Sequence, residues 1–321
     1  MQPEARSSRA WTDQFIRGGS PLAGFRALSS RRPGRERGER SRSAATAAPL
    51  LGPSVLWLAV FYLIPLILLL VQSFWTYDPV NGITSQSFTL GRYSDIGADP
   101  VYRDVLWKTV KLAALVTITD IVLAFPLAAF IAYRVKRKSR GLLLVIIPLW
   151  SSYLVRAYAW RTILGHDGVL NSFLIWAHVL AHPSDAFLFS NTAMYITFTH
   201  VWLPFMVLPL YTALEKIPPA LLEASRDLGA NGPRTFVHVV LPLVLPGIIA
   251  GSIATFSLTM GDYITPSLLG GPDSNLIGNL IFSQFGETLN WPLGSALSML
   301  VLAVLACFLI LAGRTGALEA R

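Results

Sequence analysis

The chain is short of cysteine and of charge. One cysteine, Cys307, stands among 321 residues, which excludes an intrachain disulfide and a thiolate metal site. Charged residues make up 14% against 53% hydrophobic ones, and the mean hydropathy is +0.52. That balance is too apolar for a water-soluble globule and reads as an integral membrane protein. No Gly-x-x-x-x-Gly-Lys-Ser/Thr run is present, so the backbone cradle and lysine that hold nucleotide phosphates are missing. No Gly-x-Ser-x-Gly elbow occurs either, and ionisable residues do not cluster, so no catalytic group is expected. His178 and His182 stand four apart without a third ligand on the same face; they read as amphipathic interface residues rather than a metal site. No metal and no cofactor is expected. The net charge of +8 sits between apolar runs and at the N-terminus, not in a basic stripe interleaved with aromatics. No nucleic acid is therefore expected as a partner.

What is present is a series of six apolar runs, at about 50–73, 105–133, 142–163, 191–213, 241–263 and 293–313. Each is near the roughly 20 residues that a helix needs to cross the hydrocarbon core. The expected fold is all-α and membrane-embedded, six transmembrane helices over residues 46–321 in contact with lipid. Ahead of it, residues 1–45 carry ten arginines, no lysine and four acids, with no apolar stretch long enough for a signal-peptide core. They read as a disordered cytoplasmic tail; a transit peptide or an overlong start are the alternatives. Basic residues alternate between the connections. One side holds the tail, then Arg134, Lys136, Arg137, Lys138 and Arg140, then Lys216, Arg226 and Arg234, then Arg314 and Arg321; the other holds only Arg92 and Arg103. The positive-inside bias puts both termini and the 214–240 loop in the cytoplasm.

That loop carries the strongest local signal. Pro219 suits a first helical position and Gly229 suits a left-handed residue just past a helix end. Between them lies a helix of two to three turns. Leu221, Ala224, Ser225 and Leu228 fall on one stripe, with Glu223, Arg226 and Asp227 on the other side. So short a helix is marginal alone, so flanking spans or a docked partner must hold it.

The spacing Glu223-Ala224-Ser225, then Gly229, then Val239 and Leu241-Pro242 resembles the EAA loop of binding-protein-dependent ABC importer permeases, with Ser225 in place of the usual second alanine. Further stretches resemble the spermidine/putrescine permease branch: Pro148-Leu149-Trp150-Ser151-Ser152-Tyr153, Phe205-Met206-Val207-Leu208-Pro209, Gly261-Asp262-Tyr263 and Asn290-Trp291-Pro292-Leu293-Gly294. The resemblance covers about residues 50–315. It implies a type I ABC importer permease (MetI-like) fold in a bacterial inner membrane. It also implies a cytoplasmic ABC ATPase dimer seated on a coupling helix that includes Glu223, Ala224, Ser225, Arg226, Asp227 and Gly229. A second permease subunit, expected to be a different chain, and a periplasmic solute-binding protein complete the set. The solute it favours is a polyamine; another amine, an amino-acid derivative or an organic anion are alternatives. An ion-coupled secondary transporter is the reading from a different class, but no inverted repeat is evident.

Ionised groups inside a bilayer cost at least about 2.5 kcal/mol at its centre, so each needs an account. Asp120, in the middle of the second run, either lines the path or is hydrogen-bonded to Thr117, Thr119 or another helix. Asp262 beside Tyr263 suits an ammonium through ion pairing and cation–π attraction, or is a solvated helix-end acid. Trp160, with Tyr153, Tyr158 and Trp202, lines the path or belongs to an interfacial belt. Arg156 and Arg161 oppose a polycation unless paired with Asp120 or Asp262, or they snorkel to headgroups, as Lys108 and Lys111 are expected to do.

Overall fold

The computed structural model describes residues 52–314; the arginine-rich 1–45 stretch and Arg321 lie outside them. The chain divides at Pro65 into two compact units. The described part of the first is the opening of helix α1 (Gly52–Gln72), in which Ala59–Leu63 form a π-helical turn. All further elements belong to the second unit. An antiparallel hairpin comes first, β1 (Thr76–Asp78) paired with β2 (Ile83–Ser85), Thr76 opposite Ser85. Helices follow as α2 (Gly91–Ala98), α3 (Pro100–Tyr133), α4 (Lys138–Ile146, continued by a 3₁₀ turn Ile147–Trp150), α5 (Tyr153–Leu164) and α6 (Val169–Trp176). Next are α7 (Asn191–Glu215), α8 (Pro219–Asp227), α9 (Gly232–Gly261), α10 (Ile264–Leu269), α11 (Ile277–Gly286) and α12 (Trp291–Arg314).

Five of these, α1, α3, α7, α9 and α12, are long and apolar enough to cross a membrane, and a broken span makes six. The broken one is the third: Lys138–Trp150 and Tyr153–Trp176 meet at 87°. A single straight run over 142–163 is not what forms. Pro148 opens the 3₁₀ turn, and Ser151 and Ser152 leave the helical region, with ψ of 146° and 142°.

The long helices begin where side chains satisfy their first amide groups. Asp99 accepts from the Val101 N–H at 2.8 Å, Ser190 from the Ala193 N–H at 3.0 Å, and Asn231 from the Arg234 N–H at 3.1 Å. At 34 residues, α3 runs about 51 Å, well beyond the hydrocarbon thickness, so its first turns extend past it.

The core is the packing of α3, α7 and α9 on one another. Ala113, Val116, Thr117, Asp120, Ala124 and Ala128 form the buried stripe of α3. At the end near α8, Ala124, Ala128 and Ile131 pack with Met206, Leu210, Leu214 and Val244. Toward the other end, Val105 and Ala113 pack with Phe256, Met260, Ile277 and Leu297, which brings in α11 and α12. The buried Thr109 hydroxyl donates to the Val105 carbonyl at 2.7 Å and accepts the Ile277 N–H at 2.9 Å, fixing the start of α11 on α3.

Two glycines let α9 lie against α7. A Cβ on Gly247 would stand 2.7 Å from both the Ala213 Cβ and the Pro209 carbonyl oxygen; one on Gly251 would meet the Met206 sulfur at 2.5 Å and its Cα at 3.1 Å. Small residues serve membrane helices in this way because backbone approach, not exclusion from water, holds them together. Gly247→Ala is expected to destabilise the purified protein by about 1–3 kcal/mol through overpacking. Gly261→Ala, which meets nothing within 4 Å, is expected to change little. Unfolding in detergent, followed by tryptophan fluorescence, checks the pair; equal midpoints for both variants would refute the close-approach account.

Candidate functional site

Between α7 and α9 the chain leaves the bundle and returns through Lys216-Ile217-Pro218, α8 and the turn that follows. Pro219 stands in the first turn of α8, where its missing N–H is no loss. The end is equally local in origin. Gly229, at φ +79°, donates to the Arg226 carbonyl at 2.8 Å, and Ala230 to the Ser225 carbonyl at 3.0 Å. That nested pair of bonds is a Schellman motif, which requires a left-handed residue at the position glycine fills.

Ile217 is buried and Leu222 partly so, both against the cluster of Leu210, Leu214 and Val244. Ser225 is 8% exposed, and its hydroxyl is 2.9 Å from that of Thr235 in the first turn of α9. The departure from alanine at this position thus ties α8 to the span that follows. At the other flank Lys138 pairs with Glu215 at 3.1 Å, and the Tyr133 hydroxyl donates to the Leu214 carbonyl at 3.2 Å.

These attachments divide the apolar stripe expected from spacing. Ser225 faces the bundle together with Leu222, whereas Leu221, Ala224 and Leu228 face away. Leu228 is 88% exposed, an unusual position for a leucine that follows a helix end. Glu223, Arg226 and Asp227 are exposed around it and take part in none of the ion pairs among the described residues. The connector therefore presents a short rigid ridge, apolar along one line and charged beside it.

The residues proposed for the path are distributed over the other half of the bundle. Asp262 follows the last residue of α9 and is 7% exposed. Its Oδ2 accepts the Tyr153 hydroxyl at 2.7 Å and the Thr265 N–H at 2.9 Å; Tyr153 is also bonded to the Thr265 hydroxyl. The carboxylate thus caps α10 and fastens it to the broken third span, and at 7% exposure it is not a solvated helix-end acid. Tyr153 stacks on Trp202 at 5.1 Å and shares an apolar cluster with Trp160. Trp160 donates its indole N–H to His200 Nδ1 at 3.1 Å. Tyr153, one of the aromatics expected either to line the path or to form an interfacial belt, thus bonds Asp262 and packs on the same cluster as Trp160.

Tyr263, next to Asp262, turns elsewhere and stacks on Phe282 at 4.5 Å and 8°. Asp120 stands apart, fully buried on α3 with neither oxygen bonded within the described residues. The threonines expected to bond it are committed: Thr117 to the Ala113 carbonyl at 2.7 Å and Thr119 to the Tyr195 hydroxyl at 2.7 Å. The arginines do not pair with either acid. Arg156 donates to the Val201 carbonyl at 3.3 Å, and Arg161 lies over the Phe189 ring at 5.8 Å. Among the described residues no group of three metal-ligating side chains converges; His178, at φ +57°, follows the end of α6 rather than sharing a helix with His182.

Residues 113–321 match the family described as binding-protein-dependent transport system inner membrane component. The chain is 40% identical over 285 residues to the inner membrane ABC transporter permease protein YdcU of Escherichia coli K12, covering 84% of this chain and 90% of that one. It is 37% identical over 264 residues to the spermidine/putrescine transport system permease protein PotB of the same organism, covering 82% and 94%. A solved structure of a bacterial alginate ABC transporter in complex with a pentasaccharide-bound periplasmic protein shares the fold, with a TM-score of 0.69 at 17% identity over 87% of this chain and 96% of that one. The six spans, the connector between the fourth and fifth, and these matches together place the chain in the family of binding-protein-dependent ABC transporter permeases.

Proposed function

We propose that this chain is one permease subunit of an importer for polyamines of the spermidine and putrescine class. A cytoplasmic ATPase drives it through α8, and a periplasmic binding protein delivers the solute to the opposite face. The observation that carries the reading is the ridge on α8. Its inner side is fixed to both flanking spans, and its outer side presents Leu221, Ala224 and Leu228 to a partner. Glu223, Arg226 and Asp227 would set the charge of that contact, while Ser225 and Gly229 fix its seat and its exit turn. Since the chain has no phosphate-binding loop, the nucleotide belongs to another subunit. The related permease PotB is named for spermidine and putrescine transport, and from it comes the solute.

The pathway itself is completed by a second permease, a different chain in this reading. Trp160 and Tyr263 are the members of the predicted path set with exposed or half-exposed rings, and they remain the side chains proposed to meet solute. Asp262 acts by holding α10 in place. Asp120, sealed in the subunit's own core, lies off the path. The 214–240 loop and the 1–45 tail are both cytoplasmic on the basic-residue bias.

Orientation is tested by single cysteines in a Cys307→Ser background. Leu228→Cys is expected to be shielded from an impermeant maleimide in spheroplasts and Val80→Cys, on the hairpin, to react. The reverse pattern would sink the proposal. Coupling is tested by Leu228→Asp, which touches no core residue. It is expected to lower ATPase co-purification and ATP-driven spermidine uptake in proteoliposomes by roughly tenfold or more, the loss expected for an interface anchor, with the thermal midpoint unchanged. Uptake that persists without ATP and collapses with an ion gradient would instead favour a secondary transporter.

A further inference from the structure

Along α3 the charge stops abruptly. Leu112 to Tyr133 include no charged residue but the buried Asp120. At about 1.5 Å per residue that stretch is ~33 Å long, close to the ~30 Å of the hydrocarbon core. Lys108 and Lys111 therefore stand where the core meets the headgroups, at the end of the bundle opposite α8. A cleft of about 240 Å³ opens at that level. Helix α3 contributes Lys108, Lys111, Leu112 and Leu115; Asn191, the first residue of α7, and Asn275 and Leu276, just ahead of α11, complete the lining.

The polar part of this lining offers donors that are accessible and uncommitted. Both lysines are exposed and take part in none of the ion pairs among the described residues. Asn191 and Asn275 are exposed as well, and their side-chain amides make no hydrogen bond among the described residues. No carboxylate lines the cleft. Asp104 and Asp273, close by in the chain, are exposed outside it and pair with neither lysine. Asn275 also borders a neighbouring cleft between α10 and α11, lined by Ser267, Asn279, Ser283 and the one acid Glu287. Residues three apart on a helix have Cβ atoms roughly 5–6 Å apart, so both ammonium groups can reach a single phosphodiester, for which lysine serves as a point charge.

The apolar part decides what carries that anion. Leu112, Leu115 and Leu276 belong to the cleft, and Leu115 is followed down the exposed face of α3 by Ile118 and Val122. The exposed Trp107 holds the Lys111 ammonium 5.0 Å from its ring centre, an aromatic placed as at a membrane–water boundary. The volume is below the roughly 300 Å³ of a site that encloses a whole small molecule. A headgroup whose chains lie outside the cleft fits; a soluble anion would make no use of the apolar stripe. We propose that this cleft binds the phosphodiester of an anionic glycerophospholipid from the leaflet opposite α8. Lys108 and Lys111 neutralise the phosphate, Asn191 and Asn275 donate N–H groups to the headgroup oxygens, and one acyl chain runs over Leu115, Ile118 and Val122. The lipid bridges α3 to α7 and to the start of α11, so its binding stabilises the folded subunit.

The test uses the complete importer in phosphatidylcholine–detergent micelles. Added phosphatidylglycerol is expected to raise the thermal midpoint by about 2–4 °C. Lys108→Gln with Lys111→Gln is expected to lose that rise, and Arg103→Gln, the same change of charge outside the cleft, to keep it. No rise in the parent protein, a rise kept by the double variant or lost equally in Arg103→Gln, or a rise reproduced by soluble glycerol phosphate would overturn the lipid site; the last would point to a free anion. Occupancy is read separately in proteoliposomes, so that a poorly folded double variant does not decide the matter. Asn275→Cys in a Cys307→Ser background is labelled with a neutral maleimide, and exchanging part of the phosphatidylcholine for phosphatidylglycerol is expected to slow the reaction roughly fivefold. Equal rates in the two membranes, or slowing that appears only when the periplasmic binding protein is added, would refute the proposal, the latter in favour of a protein partner. Neither readout involves spermidine uptake, so the polyamine reading stands or falls apart from it.

Discussion

Everything in the bundle depends on how closely α7 and α9 approach, and that distance is set by Gly247 and Gly251 against Pro209, Ala213 and Met206. Lipid tails are as apolar as leucine, so burying another leucine supplies no net drive between helices; interlocking surfaces must do it. The same two spans flank α8. A seam tight enough to exclude a methyl group resists sliding of one span past the other, so the connector that joins them is carried by both. Ser225 and Thr235 reinforce this by linking α8 sideways to α9, and Ile217 anchors it beneath α7.

Within this frame the two ends of the bundle are built on opposite plans. At the α8 end, polar groups form attachments and leave an apolar ridge outside. At the other end the apolar clusters are internal, and polar groups meet in short helices and turns. Asp262 shows how such a carboxylate is used: it accepts two donors from α10 and the third span, and its charge is consumed in positioning. Asn279 shows the contrary case, an amide oriented by its nitrogen with its oxygen unused. Burial alone does not tell whether a polar group is satisfied; the count of donors and acceptors around it does.

Much of this was readable in the chain because proline and glycine have local meaning. Pro219 and Gly229 bounded α8 correctly, since a missing N–H and a positive φ are properties of single residues. The apolar runs gave the spans for the same reason, hydrophobicity being additive along a window. What was not readable depended on contacts distant in sequence. Leu221 and Leu222 differ little as residues, yet only Leu222 turns inward, because Ser225 is bound to Thr235. In the third run Pro148 and the paired Ser151 and Ser152 mark where the helix breaks, but the 87° angle goes with Tyr153 held on Trp202 and Asp262, 49 and 109 residues away. Asn279, Ser283 and Glu287 stand at i, i+4 and i+8 along α11 and its cap, but only folding α10 against α11 adds Ser267 to the same cleft.

The bend also bears on how motion at one end reaches the other. A force on α8 is delivered to α7 and α9 together, and α3 is packed along both, so these three helices respond as one body. The third span is tied to that body at both parts: the inner through Lys138 to Glu215 and through Leu142 and Val145 on the core cluster, the outer through Tyr153 to Asp262 and Thr265 and through Trp160 to His200. Its other half, α4, continues through a 3₁₀ turn and two extended serines instead of an unbroken hydrogen-bonded helix. At the break between the two halves, Ser151 and Ser152 are extended and hold only the terminal backbone bonds, Ser151 N–H to the Pro148 carbonyl at 3.3 Å and Arg156 N–H to the Ser152 carbonyl at 3.2 Å. The break costs backbone regularity, and the two halves that it separates, at 87°, each keep side-chain attachments of their own to the three-helix body.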